Sequence, residues 1–350
     1  MIGAKLKPGP VLVTGGAGYI GSHTVRELAR GGYRVVVLDN LSKGHRASIA
    51  GVDLIEGDTS DSGLLRELFQ EREIRAVVHF AASSLVGESV LDPAAYYRNN
   101  VLGGISLLDA MASARVPCLV FSSTAAVYGE PREVPIPEDH PAVPTNPYGA
   151  TKLALEGAMR WYGGAYGIKY AALRYFNAAG AEPAGDIGED HAPETHLIPL
   201  VLKAVMGLLP ALSVFGTDYP TPDGTCVRDY IHVNDLARAH VLALEALAAG
   251  APSGAYNLGN GNGYSVLEVI KAAESVTGRQ VPVEYGSRRP GDPATLVASS
   301  EKAKRELGWR PNYADLSAIL GTAWKWHRKH PHGFISPGEQ EPPPHAGPGG

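Results

Sequence analysis

A tyrosine and a lysine stand four residues apart in the segment NPYGATK, residues 146–152. Positions i and i+4 share one face of a helix, so the side chains of Tyr148 and Lys152 are expected to meet. A phenol titrates near ~10 and is a weak base at neutral pH. A neighbouring ammonium favours the phenolate, so we expect a lowered pKa for Tyr148, which suits general base catalysis. The same spacing also fits an ordinary surface helix, so other segments must decide.

The segment VLVTGGAGYIGSHTVREL, residues 11–28, passes from an apolar strand through a glycine-rich turn into a helix. It contains two overlapping glycine patterns, one built on Gly16, Gly18 and Gly21 and the other on Gly15, Gly18 and Gly21. Such glycines permit a tight turn and let the backbone approach a pyrophosphate at the helix N-terminus. The order strand, glycine turn, helix predicts a dinucleotide site.

The second predicted strand ends in Asp39 and Asn40. An acid at this position hydrogen-bonds the ribose hydroxyls of NAD and repels the 2′-phosphate of NADP. Asp58 closes the third predicted strand and is expected to lie on the adenine side. The sequence therefore predicts NAD as the cofactor.

Hydroxyl groups follow another strand in the segment FSSTAAVYG, residues 121–129. They belong to Ser122, Ser123 and Thr124, at the carboxyl edge of the predicted sheet, where such folds bind ligands. A hydroxyl, a tyrosine and a lysine beside NAD suit hydride transfer at a carbinol carbon. The phenolate would take the O–H proton while NAD takes the hydride.

Apolar runs alternate with helix-length segments through the first half, which predicts an α/β fold with a Rossmann-type doubly wound parallel sheet. The predicted strands are 11–15, 34–39, 52–58, 76–81, 118–123 and 170–176, and the helices between them include 20–30, 61–72, 92–114 and 147–165. After a Gly/Pro/acid-rich loop at 177–196, helices are expected near 196–207, 234–248, 265–278, 300–308 and 313–331. We predict an NAD-binding domain over 1–176, a smaller α/β substrate lobe over 177–333 that could be interleaved with it, and a disordered tail over 334–350.

The composition excludes several classes of protein. A net charge of −5 and a pI near 6.2 over 350 residues argue against a nucleic-acid binder. No apolar run is long enough to cross a membrane, and no signal peptide is expected in MIGAKLKPGP. The two cysteines stand far apart, which favours a reducing cytoplasm. His191 and His196 flank a loop, but no zinc-like spacing is present and no metal is predicted.

Many further segments occur in an order that resembles the UDP-glucose 4-epimerase family of extended short-chain dehydrogenases/reductases. The segments are VTGGAGYIGSH, VVVLDNLS, IEGD, VVHFAA, VGESV, YYRNNV, FSSTAAVYGE, PYGATK, LRYFNAAGA, GTCVRDYIHV, YNLGNG and RRPGD. The resemblance runs from Val11 to about His330. It implies that bound NAD removes the C4 hydride of a UDP-sugar, that the 4-keto sugar turns over, and that the hydride returns to the other face. It also implies a homodimer that pairs helices 92–114 and 147–165.

The resemblance assigns roles to residues of this chain. Tyr148, Lys152 and Thr124 would be catalytic. Cofactor contacts are expected from Gly15, Gly18, Tyr19, Ile20, Gly21, Asp39, Asn40, Asp58, Phe80, Ala81, Asn99, Ser122, Tyr148, Lys152 and Phe176. Substrate contacts are expected from Thr124, Tyr148, Asn177, His196, Leu197, Arg228, Arg289, Asp292 and Leu296.

Three positions depart from the family pattern. Ser84 stands where some relatives carry a lysine that contacts the pyrophosphate, and His196 stands where an asparagine is often found on the uracil side. Leu296 replaces a tyrosine or cysteine that faces the sugar. The pocket could therefore also accept N-acetylated UDP-sugars.

Two other readings remain open. A sugar-nucleotide 4,6-dehydratase needs an acid/base pair where this chain has Ala125 and Ala126. A non-catalytic redox sensor would need NAD binding but not the tyrosine and lysine.

Overall fold

The computed structural model describes residues 9–289 and 292–334. Its strands are β1 (Val11–Thr14), β2 (Val35–Asp39), β3 (Asp53–Glu56), β4 (Ala76–His79), β5 (Cys118–Ser122), β6 (Lys169–Tyr175), β7 (Asn177–Ala179), β8 (Leu212–Phe215), β9 (Val227–His232), β10 (Gly254–Leu258), β11 (Gly263–Ser265), β12 (Val283–Gly286) and β13 (Thr295–Leu296). Its helices are α1 (Tyr19–Arg30), α2 (Ser62–Glu71), α3 (Val86–Leu91), α4 (Pro93–Tyr96), α5 (Gly103–Ala114), α6 (Pro147–Tyr166), α7 (Leu197–Val205), α8 (Val233–Ala248), α9 (Val266–Thr277), α10 (Glu301–Glu306) and α11 (Leu316–Lys329). A π-helix spans Tyr97–Leu102, and 3₁₀ turns span Arg46–Ile49 and Ala125–Tyr128.

The central sheet contains seven parallel strands in the order β10-β6-β5-β4-β1-β2-β3. Strands β1, β2, β4 and β5 are buried along their whole length, as expected for apolar strands covered by helices on both faces. One apolar cluster, with Val13 and Val37, covers one face, and a second, with Leu12 and Leu119, covers the other. The predicted fold class is confirmed. Because the strand order reverses between β1 and β4, a ligand crevice is expected at their carboxyl ends.

Segments from both halves of the chain contribute to the central sheet and its core. The seventh strand, β10, comes from the second half and pairs in parallel with β6. Helix α8 joins the same core, because Leu236 and Ala239 pack in one cluster with Val25 of α1. The second half of the chain therefore contributes to the hydrophobic core around the central sheet.

The second lobe rests on smaller sheets. Strand β9 pairs with β11, β13 and β7, and β8 pairs with β12. Helices α7, α9 and α11 share one core, to which Val201, Val269 and Ile319 contribute fully buried side chains. The second lobe therefore has a hydrophobic core of its own.

No helix within the described ranges is both long and apolar enough to span a membrane. Both cysteines, Cys118 and Cys226, are free. Phe334, predicted to open the disordered tail, donates its backbone N–H to Asp190 Oδ2 at 2.9 Å and packs 4.8 Å from the Trp326 ring. Residues 335–350 lie outside the described residues, so the tail itself remains a prediction.

Candidate active site

The glycine turn between β1 and α1 lies at the carboxyl edge of the sheet. Gly15 has a φ of +70°, and a Cβ there would lie 2.5 Å from the backbone nitrogen of Ala81. A Cβ on Gly21 would lie 2.2 Å from the Gly15 carbonyl oxygen. Gly18 differs. Among the described residues, a Cβ added there would contact only that same oxygen, at a van der Waals distance of 3.4 Å. Packing alone therefore does not require glycine at position 18, whose missing side chain widens a cavity.

Acidic and amide side chains at the ends of β2 and β3 continue the wall of this cavity. Asp39 is 7% exposed and accepts hydrogen bonds from the backbone N–H groups of Ala17 and Leu41, both at 2.9 Å. Burial raises the pKa of Asp39, although the two backbone hydrogen bonds oppose this. Asn40 donates to Asp58 at 2.8 Å. The carboxylate of Asp39 is thus held rigidly beside the glycine turn.

Helix α6 positions Tyr148 and Lys152. Asn146 caps its N-terminus by accepting from the Gly149 N–H at 2.9 Å, and Pro147 occupies the first turn, where its missing N–H costs nothing. Lys152 is 3% exposed and donates to the Ser122 carbonyl oxygen at 2.9 Å. Its Nζ lies 5.9 Å from the centre of the Tyr148 ring. The predicted pairing on one helix face is thus present, with Lys152 turned toward β5.

The expected lowering of the pKa of Tyr148 by Lys152 does not occur. Burial raises the pKa of the Tyr148 phenol, and a hydrogen bond with Thr124 lowers it by less. Burial also lowers the pKa of Lys152 to about 7, against an attraction to Glu156 that raises it. The sequence-based expectation was wrong in direction because the desolvation of a buried phenol exceeds the effect of a lysine that is itself desolvated.

A cavity of about 620 Å³ runs along this edge and is lined by most of the predicted site residues. Those in its wall are Gly15, Gly18, Tyr19, Ile20, Gly21, Asp39, Asn40, Asp58, Phe80, Ala81, Asn99, Ser122, Thr124, Tyr148, Lys152, Phe176, Asn177 and His196. Ser84, where some relatives carry lysine, also lines it.

Five predicted substrate residues lie outside that wall. Leu197 opens α7 and packs against the core of the second lobe. Arg228 forms an ion pair with Asp292, and Arg289 stacks with its guanidinium carbon 4.1 Å from the centre of the Phe215 ring. Leu296 pairs with Arg228 between β13 and β9 and packs on the cluster that also contacts Phe176. The roles of these side chains remain predictions.

Some residues at the site were not identified from the sequence. Asn100 lies in the π-helix, a feature often found at functional sites. It donates to Ser83 O at 3.0 Å and to Thr151 Oγ1 at 3.1 Å, and so joins the cavity wall to α6. The hydroxyl oxygen of Tyr175 lies 2.5 Å from Ser122 Oγ, within hydrogen-bond distance. The paired asparagines of YYRNNV were the only available signal for Asn100.

The loop of residues 180–196 brings two histidines beside two glutamates at the cavity wall. Glu189 Oε1 lies 2.7 Å from His196 Nδ1 and 3.4 Å from His191 Nδ1. Burial lowers the pKa of His196, but its ion pairs with Glu189 and Glu194 outweigh burial and raise the pKa to about 10. The same balance raises the pKa of His191 to about 9. Neither glutamate was singled out from the sequence.

This fold and site define the class of protein. The chain matches the model of the NAD dependent epimerase/dehydratase family over residues 11–259 and therefore belongs to that family.

Individual relatives carry a more specific name. The UDP-glucose 4-epimerase of Halalkalibacterium halodurans is 56% identical over 324 residues, which cover 93% of this chain and 97% of the relative. A solved structure of a UDP-glucose 4-epimerase matches with a TM-score of 0.92 at 52% identity, covering 93% of this chain and 100% of that one. The Bifidobacterium longum UDP-glucose 4-epimerase, solved in complex with NAD⁺ and UDP, matches with a TM-score of 0.87 at 42% identity, covering 93% of this chain and 100% of that one.

Proposed function

We propose that this protein interconverts UDP-galactose and UDP-glucose. It oxidises the sugar at C4, lets the 4-keto sugar turn over, and reduces it from the other face. The observation that carries the proposal is that Tyr148, Thr124 and Lys152 line the same cavity as the glycine turn. A phenol and a hydroxyl at one end of a dinucleotide cavity suit reversible oxidation of a carbinol. Relatives that share more than half of this sequence bear the same activity in their names.

The residues present fit NAD. Gly18 leaves open a space that the protein's own packing does not require, which suits close approach of a pyrophosphate. The N-terminus of α1 faces the same turn and favours the negative charge. Asp39 would accept the ribose hydroxyls, and Asn40 with Asp58 would flank the adenosine. When bound, NAD supplies the nicotinamide ring that accepts and returns the C4 hydride.

Tyr148 is the acid and base of the reaction. As the phenolate it takes the proton of the C4 hydroxyl, and as the phenol it returns a proton to the 4-keto oxygen. Thr124 assists by its hydrogen bond to the phenol oxygen, the contact that opposes the effect of burial on the pKa of Tyr148. Lys152 is anchored on Ser122 O and holds positive charge near the reacting groups when protonated.

The uridine diphosphate half would extend toward the second lobe. Arg228 and Arg289 offer planar guanidinium groups that grip phosphate oxygens in pairs. Asp292 already holds Arg228 in place through an ion pair. Asn177 lines the cavity that also contains Tyr148 and the glycine turn. Leu296 would face the sugar and leave room beside it for an N-acetyl group. UDP-N-acetylhexosamines would then be slower, second substrates.

Incubating the protein with UDP-galactose and measuring UDP-glucose tests the activity. The dehydratase alternative would instead release a 4-keto-6-deoxy sugar, yet positions 125 and 126 are alanines and supply no carboxylate. A redox sensor would bind NAD without turnover. Formation of UDP-glucose without added NAD, together with NAD(H) in the denatured supernatant, is the expected result. Absence of any turnover in a protein that contains NAD would refute the proposal.

A homodimer in the cytoplasm is also part of the proposal. The helices expected at the twofold axis carry exposed apolar side chains, including Leu102 (57% exposed), Trp161 (73%) and Tyr166 (63%). Burying such a surface is favourable, and large exposed apolar patches mark contact sites. Light scattering is expected to give the mass of a dimer, and Trp161→Lys is expected to weaken it. A monomer at every concentration would contradict this arrangement.

A further inference from the structure

Glu189, His191, Glu194 and His196 form a cluster in the loop between β7 and α7, which we call the loop cluster. Its sequence repeats Glu-x-His twice, in EDH and ETH. The loop folds so that one donor atom from each side chain lies within 4.8 Å of the other three. Two of the side chains are almost fully buried, Glu189 at 3% and Glu194 at 4% exposure. Buried carboxylates of this kind need positive charge nearby, which either protonated histidines or a bound cation can supply.

The close contacts within the loop cluster are not well-directed hydrogen bonds. Nitrogen to oxygen distances run from 2.7 Å between His196 and Glu189 to 3.7 Å between His191 and Glu194. Within residues 9–289 and 292–334, however, Glu189 Oε1, Glu194 Oε2 and both Nδ1 atoms are buried without a hydrogen-bond partner. The four atoms therefore converge on a shared region without forming directed N–H···O hydrogen bonds.

We propose that the loop cluster binds one Zn²⁺ ion through two imidazole nitrogens and two carboxylate oxygens. Zinc takes four such ligands in a tetrahedron at about 2.0–2.2 Å, which places neighbouring donor atoms about 3.4 Å apart. With one oxygen from each glutamate, the separations of 2.7, 3.4 and 3.7 Å lie around that value, and all four donor atoms lie within 4.8 Å of one another, so side-chain movements of about an ångström would complete the tetrahedron. The imidazoles favour zinc over magnesium or calcium, which prefer oxygen ligands alone.

The surroundings of the loop cluster suit a fixed structural site. The Trp326 indole N–H donates to the Glu189 carbonyl oxygen at 3.1 Å, and so ties the cluster to α11. The Tyr19 ring lies edge-on to His191 with centroids 6.2 Å apart, and its hydroxyl donates to Gly180 O at 2.6 Å. Because Tyr19, Glu189, His191 and His196 all line the cavity, the ion holds one wall against the glycine turn. Its role is to position this wall rather than to act on the sugar.

Metal content and thermal unfolding of the full-length protein test this inference without reference to activity. Wild-type protein that is supplied with zinc and then dialysed is expected to retain about one zinc ion per chain, measured by inductively coupled plasma mass spectrometry. Chelation is expected to lower the Tm, and zinc restored at 100 times its Kd reduces the unfolding equilibrium constant by about 100-fold. Both measurements use the unaltered chain, so they hold even where a variant fails to fold.

Variants assign the ligands. His191→Gln is expected to weaken zinc binding by about 100-fold or more, since even outer-shell partners contribute about 10–100-fold. His332→Gln, which removes an exposed histidine elsewhere, is the matched control and is expected to bind zinc like wild type. Wild type that holds no more zinc than His191→Gln would show that the loop cluster is an ion-pair network and would overturn the proposal. Zinc that leaves with no change in Tm would overturn its structural role.

Discussion

The variant Gly18→Ala tests whether glycine is required at position 18 for cofactor binding or for folding. Gly18 has φ −75° and ψ 176°, which alanine adopts without strain. The added methyl would touch only the Gly15 carbonyl oxygen among the described residues, at 3.4 Å. Alanine removes freedom from the unfolded chain, worth about 0.4–1 kcal/mol, but it is a poorer N-cap than glycine by a similar amount. The free energy of unfolding of nucleotide-free protein should therefore change by less than about 1 kcal/mol.

The cofactor should respond much more strongly. The methyl group projects into the turn that faces the pyrophosphate, and overpacking of this kind costs about 1–3 kcal/mol. That energy corresponds to NAD binding weaker by about 5- to 150-fold. NAD(H) released per chain on denaturation gives the occupancy, and calorimetry on protein stripped with charcoal gives the Kd. Thermal unfolding of the stripped protein should shift by no more than about 2–4 °C.

Gly21→Ala is the matched control. Its methyl would lie 2.2 Å from the Gly15 carbonyl oxygen and 2.9 Å from Gly16 Cα, so the backbone must move. This variant is expected to lose stability and NAD together. If Gly18→Ala binds NAD as tightly as wild type, the pyrophosphate does not approach this turn. If it instead unfolds like Gly21→Ala, the space at Gly18 serves the fold and the reasoning fails.

The remaining predictions concern chemistry and specificity. Tyr148→Phe is expected to lower kcat by about 10²–10⁴-fold with NAD retained, since it removes the base, and near-normal turnover would exclude this role. Asp39→Ser should relax the preference for NAD over NADP, measured as a ratio of Kd values, because it removes a repulsive carboxylate; an unchanged ratio would place discrimination elsewhere. Leu296→Tyr should lower kcat/KM for UDP-N-acetylglucosamine about tenfold and spare UDP-galactose, and equal losses would show that Leu296 does not gate the pocket. Because burial lowers the pKa of Lys152 from 10.5 to about 7, unfolding takes up a proton between these values and the free energy of unfolding rises with pH there. Denaturant titrations of Lys152→Met should show a slope smaller by up to about 1.4 kcal/mol per pH unit, whereas a slope equal to wild type would mean that the buried amine keeps its ordinary pKa.

The sequence was most informative where a local pattern determines the structure. The strand, turn and helix around Gly15 require particular backbone angles, and buried parallel strands require apolar runs, so both are visible in the sequence. Strand β10 was not predicted as part of the central sheet, because GAYNL is short and its partner β6 lies far away in the chain. Pairing between distant segments leaves no local signal.

The electrostatics of the site could not be obtained from spacing. The pair Tyr148 and Lys152 is placed on α6 as predicted, but the balance between attraction and burial for Lys152 depends on neighbours such as Glu156 and on the packing of the folded chain around the amine. Likewise, Glu189 and Glu194 meet His191 and His196 through the path of a loop. No period of helix or strand encodes that path.

The late position of β10 has a consequence during synthesis. Strand β6 ends at residue 175, and its neighbour β10 ends at residue 258. The ribosome must therefore add 83 more residues before β10 can pair with β6. At about 5–20 residues per second this takes about 4–17 s. Throughout that interval the ribosome-bound chain presents the unpaired edge of an apolar strand, which can pair with other chains. We therefore expect chaperones that shield nascent chains to improve the yield, and truncation before residue 254 to give aggregates.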